Sequence, residues 1–100
     1  MNETTNPTAI VTQRYRQDLK RMTYRAFAEA LNEKQVNGSV SHATVMNWEK
    51  GMTEPDTDYL LRLMVIHPVG DWRRQFAIEV LQAKLPEVFE RTNNGMRILI

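Results

Sequence analysis

The sequence predicts an all-α fold, a compact bundle of about five helices that carries, at most, a short C-terminal β-hairpin or strand. Three observations predict it. Apolar residues recur at steps of three and four through most of the chain, which is the spacing of one helix face. The 4 Gly and 4 Pro fall between these periodic segments and not inside them. Several segments begin directly after a Ser, Thr or Asp, whose side-chain oxygen can accept from the free N–H groups of a first helical turn.

Met1 to Pro7 is polar and reads as a flexible N-terminal arm. From Ala9 to Met22 the positions Ile10, Val11, Tyr15, Leu19 and Met22 form one face, with Arg14, Arg16, Lys20 and Arg21 over the more polar side. Thr23 caps a second helix that buries Phe27, Ala30 and Leu31, and Asn37-Gly38 is its expected stop. Ser41 caps a third helix, which Gly51 ends. Val45 and Trp48 face the core there, and Trp48 is expected at the junction of three helices rather than in a ligand site. Pro55 with Glu54, Asp56 and Asp58 introduces a fourth helix buried through Tyr59, Leu60, Leu63 and Met64. These acids suit the positive end of a helix dipole and are read as caps, not as a paired-carboxylate catalyst. His67-Pro68-Val69-Gly70 breaks the chain, and Asp71 caps a fifth helix through Leu85 that Pro86 ends. Asn93-Asn94-Gly95 between two apolar stretches is the hairpin signal, because Asn and Gly tolerate positive φ.

Composition narrows the function. A chain of 100 residues is one small domain. Hydrophobic residues at 42% and charged ones at 25% are globular values. The net charge of +1 excludes a polybasic histone-like binder but leaves local patches open. Without cysteine there is no disulfide framework, thiolate cage or cysteine nucleophile, and two histidines far apart argue against a metal site. His67 is expected as a loop or helix-terminal residue. No run is long enough to span a membrane, and the N-terminus lacks the plan of a signal peptide. The expectation is a soluble cytoplasmic binding module, not an enzyme, with no cofactor.

The short helices at 23–37 and 41–50 form a helix-turn-helix pattern that spacing alone cannot separate from any small bundle. The wording of the sequence separates them. Thr23-Tyr24-Arg25-Ala26-Phe27-Ala28-Glu29-Ala30-Leu31, then Val40-Ser41-His42-Ala43-Thr44-Val45-Met46-Asn47-Trp48-Glu49-Lys50-Gly51, then Glu54-Pro55 and Leu60-Leu61-Arg62-Leu63, resembles the Cro and lambda-repressor type helix-turn-helix family. The resemblance covers residues 10–66 or so. It implies a DNA-binding domain over 8–67, followed by a C-terminal helix and tail over 68–100 that pack on it. It assigns base contacts to His42, Ala43 and Asn47, and backbone contacts to Thr23 and Tyr24. Thr44 joins the base-reading set by its place at the leading end of the helix, and Arg25 and Lys50 join the phosphate set on charge. The physical reading agrees, since a helix fits the major groove, Asn can bridge adenine N6 and N7, and Ala or Thr methyls pack on thymine. Between Arg14 and Lys50 lie seven basic and four acidic residues, so the basic excess sits in the half that would face phosphate.

Two departures from the family pattern stand out. About seven extra residues lie between Ala28 and Ser41, so either the second helix is longer or a loop forms around Gln35 to Val40. The family also pairs the Glu of the Trp-Glu-Lys-Gly stretch with an arginine of the first helix. The matching position here holds Gln17, which leaves Arg14 or Arg21 to serve Glu49. The fifth helix has two apolar faces, so Trp72, Phe76, Val80 and Leu81 are candidates for a dimer interface. The alternative is that this helix completes the core. The partners expected are double-stranded DNA with a pseudo-palindromic operator, a second copy of the chain and a possible protein partner. Two rival functions are the antitoxin of a toxin–antitoxin pair and a protein-interaction module that has lost DNA contact.

Overall fold

In a computed structural model the described residues are 6–34, 39–86, 89–92 and 95–98, the last two stretches as backbone only. The first helix, α1, covers Pro7–Gln13 and runs directly into a π-helical segment, Arg14–Leu19. Asn6 starts it, its side-chain oxygen accepting from the N–H groups of Thr8 at 2.9 Å and Ala9 at 3.4 Å, while Pro7 needs no partner at the first position. Helix therefore begins at Pro7, two residues before the periodic segment, and Met1 to Thr5 of the expected arm lie outside the described residues.

The buried face of α1 is not the one its apolar spacing predicts. Thr8, Ala9, Thr12 and Tyr15 are buried, while Ile10 and Leu19 are 48% and 59% exposed. Small side chains let this helix lie close against the fifth, and the buried threonines tolerate the site because their hydroxyls bond locally. Thr12 donates to the Thr8 carbonyl at 2.9 Å and Thr8 to Asn6 at 2.7 Å. Beyond Gln13 the winding widens, with the Lys20 N–H reaching back five residues to the Tyr15 carbonyl at 3.0 Å. Each residue then turns less about the axis, so a stripe drawn at α-helical spacing drifts off the core.

Helix α2 spans Tyr24–Asn32 and is capped by Thr23, whose hydroxyl accepts from the Ala26 N–H at 3.0 Å. It ends well before the expected stop at Asn37-Gly38, which lies outside the described residues. Lys34 already has a left-handed φ of 67°. Two groups replace the missing helical turns. The Asn32 carboxamide holds Val40 from both sides, donating to its carbonyl at 2.9 Å and accepting from its N–H at 2.8 Å. Arg73 donates to the Ala30 carbonyl at 3.0 Å, which satisfies one of the orphan acceptors at the helix end. Of the extra residues, the described ones, 33–34 and 39–40, lie outside any helix, and Asn32 ties Val40 to the end of α2.

Helix α3 covers His42–Glu49, α4 covers Thr57–Ile66 and α5 covers Trp72–Lys84. Gly51 and Gly70 take the positive φ that their turns need, 74° and 99°. Asp71 caps α5, accepting from the Arg73 N–H at 2.8 Å. Asp56 stands at the start of α4 without a side-chain capping bond, and Asp58 pairs with Arg62 at 3.2 Å, so these acids act through the helix dipole instead of as caps.

One core joins all five helices, through Tyr15, Phe27, Leu31, Val45, Trp48, Leu60, Leu63, Phe76, Val80 and Leu81 among others. Phe76 packs edge-on against Phe27 and Tyr15, each with ring centres 5.5 Å apart, and Trp72 lies 5.3 Å from Phe27. The dimer surface expected on α5 is thereby corrected. Phe76, Val80 and Leu81 are at most 1% exposed, and the half-buried Trp72 packs on the same cluster, so this helix completes the protein's own core. The reason is that α5 packs against both α1 and α4, so both of its apolar sides are used within the fold. After α5, strand β1 (Phe89–Thr92) pairs antiparallel with β2 (Gly95–Ile98), Phe89 opposite Ile98 and Thr92 opposite Gly95. Asn93 and Asn94 lie outside the described residues. No helix among the described residues is long and apolar enough to cross a membrane.

Candidate nucleic-acid interface

The leading end of α3 stands clear of the fold. Ser41 caps it, accepting from the Thr44 N–H at 3.1 Å, and its hydroxyl also lies 3.0 Å from that of Thr44. Thr44 thus spends its hydroxyl on the cap and keeps its methyl for contact. Ser41, His42 and Ala43 are exposed, and Thr44 and Asn47 are half-buried on the same exposed side. Val45 and Trp48 turn the opposite way, at 0% and 4% exposure, and Trp48 packs on Tyr59 with ring centres 6.0 Å apart. The Asn47 carbonyl accepts from the N–H groups of Met52 at 3.0 Å and Thr53 at 3.4 Å. Its carboxamide has no partner among the described residues. An exposed helix edge of small side chains followed by a free carboxamide one turn on is shaped to approach a flat, hydrogen-bonding surface such as stacked bases.

What holds α3 in place is a residue the sequence pattern passed over. Arg16, inside the π segment, grips Glu49 with two N–H groups, Nε to Oε2 at 2.5 Å and Nη2 to Oε1 at 3.0 Å. The pair is 13% and 6% exposed at the side chains. The hydrogen bonds to Glu49 raise the pKa of Arg16 further above its ordinary value, so the charge is secure. Arg16 also donates to the Met22 carbonyl at 2.9 Å and lies 4.1 Å over the Tyr24 ring. One guanidinium therefore links the first helix, the start of α2 and the end of α3. Neither Arg14 nor Arg21 serves Glu49. Arg14 is paired with Glu79 of α5, which also accepts from the Tyr15 hydroxyl. Arg16 thus takes the place expected of Arg14 or Arg21, the π winding changes the phase of the residues within it, and no local sequence signal marks it.

The expected phosphate contacts gather at helix ends. Thr23 and Arg25 at the start of α2 are exposed, as is Lys50 just after α3, and Tyr24 is half-buried beneath Arg16. Neither Arg25 nor Lys50 forms an ion pair with a described residue. Lys20 lies 5.3 Å over the Trp72 ring and is otherwise exposed. Arg14 and Arg16, by contrast, are committed to carboxylates.

Beside α3 an open groove of about 400 Å³ runs between its second half and the start of α4, with Thr44, Asn47, Trp48, Tyr59 and Arg62 among its walls. The Tyr59 hydroxyl is buried and has no hydrogen-bond partner. Burial raises its pKa above the ordinary 10, so it stays protonated. An unsatisfied hydroxyl of this kind costs about 1–3 kcal/mol. His67, expected as a loop or helix-terminal residue, does end α4, and its ring is fully buried, both nitrogens lack a hydrogen-bond partner, and Nδ1 lies 3.8 Å from the Asp71 carboxylate. No group of His, Asp and Glu among the described residues could hold a metal ion. No protein-family model, curated protein or solved structure matches the chain.

Proposed function

We propose that the protein is a sequence-specific double-stranded DNA-binding regulator of the Cro and lambda-repressor type, a small dimeric repressor of phage or bacterial cytoplasm that reads the major groove with α3. The observation that carries this reading is the free leading edge of α3, locked from behind by Arg16–Glu49 and Trp48 while His42, Ala43 and the Asn47 carboxamide stay available. Base reading needs a rigid helix, since a positional error of about an ångström is enough to break a bidentate hydrogen bond. In this reading Asn47 bridges adenine, the Ala43 and Thr44 methyls pack on thymine, and His42 donates to a base or phosphate. Thr23, Tyr24, Arg25 and Lys50 meet the sugar–phosphate backbone, with Arg16 in support. No residue is assigned a catalytic role or a cofactor.

A repressor of this size gains specificity by doubling, two copies reading half-sites about 34 Å apart. With α5 consumed by the core, the two-fold contact is assigned to the exposed apolar side chains of Leu61 and Val65 on α4 and Val69 in the turn beyond it. These are 39%, 72% and 85% exposed. The same side chains would suit a different protein partner, which is the observation behind an interaction module as second reading. Selection of bound duplexes from a random pool at near-physiological salt separates the two. A palindromic consensus supports the repressor, and failure to enrich any sequence removes it.

A further inference from the structure

We infer that the buried His67 ring is a proton-operated release for the end of α2, acting through Asp71 and Arg73 on the stretch that leads into α3. The imidazole side chain is 0% exposed, and neither nitrogen has a hydrogen-bond partner. Its backbone is held in place, since Arg74 donates to the Met64 carbonyl at 2.8 Å and to the His67 carbonyl at 3.3 Å. The charged groups acting on the ring are Asp71 and Arg73 at the start of α5, and Glu33 and Lys34 at the end of α2. The Asp71 Oδ2 stands 3.8 Å from Nδ1, too far for a hydrogen bond.

From Asp71 the contacts run on to α2. Its carboxylate accepts from Arg73 at both oxygens, Oδ1 from Nε at 2.9 Å and Oδ2 from Nη2 at 2.8 Å. The remaining guanidinium nitrogen, Nη1, donates to the Ala30 carbonyl at 3.0 Å and to Glu33 at 3.1 Å. Asn32, in the same turn, holds Val40 from both sides, next to the Ser41 cap of α3. A neutral ring leaves this chain of bonds undisturbed. An imidazolium is a donor at both nitrogens and a cation shut off from water, so the Asp71 carboxylate must close by about 1 Å to bond it. Oδ2 already carries Arg73, and two cations on one carboxylate repel. Arg73 then gives way toward the more exposed Glu33 and leaves the Ala30 carbonyl unpaired, so the last turn of α2 frays and Val40 loses its anchor. Burial first, and Arg73 after it, hold the ring's pKa below the ordinary 6.5, which puts the release on the acid side of that value.

The link to operator binding rests on the proposed function; the switch itself does not. The test begins without DNA, by NMR of the full-length protein from about pH 7 to about pH 5. The His67 ring, told apart from His42 by His42→Ala, is expected to titrate while the protein is folded. The Arg73 Nε–H, the Asn32 carboxamide and the Val40 amide are expected to shift with the same midpoint. In Arg73→Lys, which keeps the charge and loses the forked contact, the ring should still titrate while Asn32 and Val40 do not follow. His67→Phe should keep all three signals at their neutral-pH positions. A ring that takes up no proton before the protein unfolds overturns the switch, and so does a ring that titrates in the parent without Asn32 and Val40. Both results come from the parent alone, so a variant that fails to fold does not remove the test. Operator affinity at constant ionic strength should fall severalfold more over this range in the parent than in His67→Phe, His42 being common to both. Equal pH dependence overturns the link to α3. If no duplex is ever selected the repressor reading falls, while the titration still decides the switch.

Discussion

Replacing Arg16 with Ala should be among the most damaging single changes in the first helix, and its cost follows from what is left behind. Glu49 keeps a carboxylate at 6% side-chain exposure, with both oxygens stripped of their N–H partners. Removing one member of a buried ion pair costs about 3–5 kcal/mol, because the survivor stays desolvated and unpaired. Loss of the Met22 carbonyl bond and of the cation over Tyr24 adds to this. Against a domain stability of roughly 5–15 kcal/mol, the loss should lower the melting temperature by roughly 12 °C or more. The companion change is Arg16→Met with Glu49→Leu, which removes both charges and keeps apolar volume. It should recover most of the loss. Urea denaturation of the two single variants and the double gives the coupling energy directly. A cost below about 1 kcal/mol for Arg16→Ala would place the pair with ordinary surface ion pairs and refute its role as the anchor of α3.

The remaining predictions address DNA, assembly and pH. Asn47→Ala should relax preference at one base pair and cost about 1–3 kcal/mol in operator affinity; a consensus that stays the same takes Asn47 out of the reading set. Arg25→Ala should weaken all sequences alike and reduce the salt slope by about 0.9, so a sequence-selective loss contradicts a phosphate role. Val65→Asp should give folded monomers by sedimentation, since Val65 is 72% exposed; a variant that stays dimeric moves the two-fold contact elsewhere. Melting temperature should fall as pH drops below about 6.5, because burial lowers the pKa of His67 and the unfolded chain takes up the proton first. A second decline should begin below 3.8, where the unfolded chain protonates Asp71 while the Arg73 hydrogen bonds keep the folded carboxylate ionised. His67→Phe should remove the upper decline only, and a melting temperature flat from about pH 7 to 5 contradicts the assignment.

Most of the helices were legible because their boundaries are written locally. Thr23, Ser41 and Asp71 cap where their side chains can reach the next turn, and Gly51 stops where positive φ is needed. Features that depend on distant partners were not legible. The inner face of α1 is chosen by its approach to α5, so Thr8 and Thr12 displace Ile10. The end of α2 is set by Asn32 reaching Val40 and by Arg73 arriving from α5, more than 40 residues away. Arg16 was hidden for a related reason. A π turn changes the phase of every residue in it, and nothing in Arg14–Leu19 announces one. The exposed residues of α3 were legible from the cap and the buried phase of Val45 and Trp48, which leave few positions facing out.

The use of arginines inside the fold bears on how such a protein could work. The basic excess of the first half includes Arg14 and Arg16, and both are bound to carboxylates of the protein itself. The cations left for phosphate are few: Lys50 directly after α3, Lys34 ahead of it, and Lys20, Arg21 and Arg25 on either side of Thr23. At about 0.9 in the salt exponent for each contact, one subunit would hold nonspecific DNA weakly at physiological salt. Weak backbone attraction is an advantage when a second copy is available, because two half-sites add their free energies while nonspecific binding gains less. The acids Glu54 and Asp56 beside α3 push the same way, costing attraction to any phosphate near the groove regardless of sequence. On this argument neutralising them with Glu54→Gln and Asp56→Asn should raise nonspecific affinity more than operator affinity, so the ratio of the two is the quantity to measure.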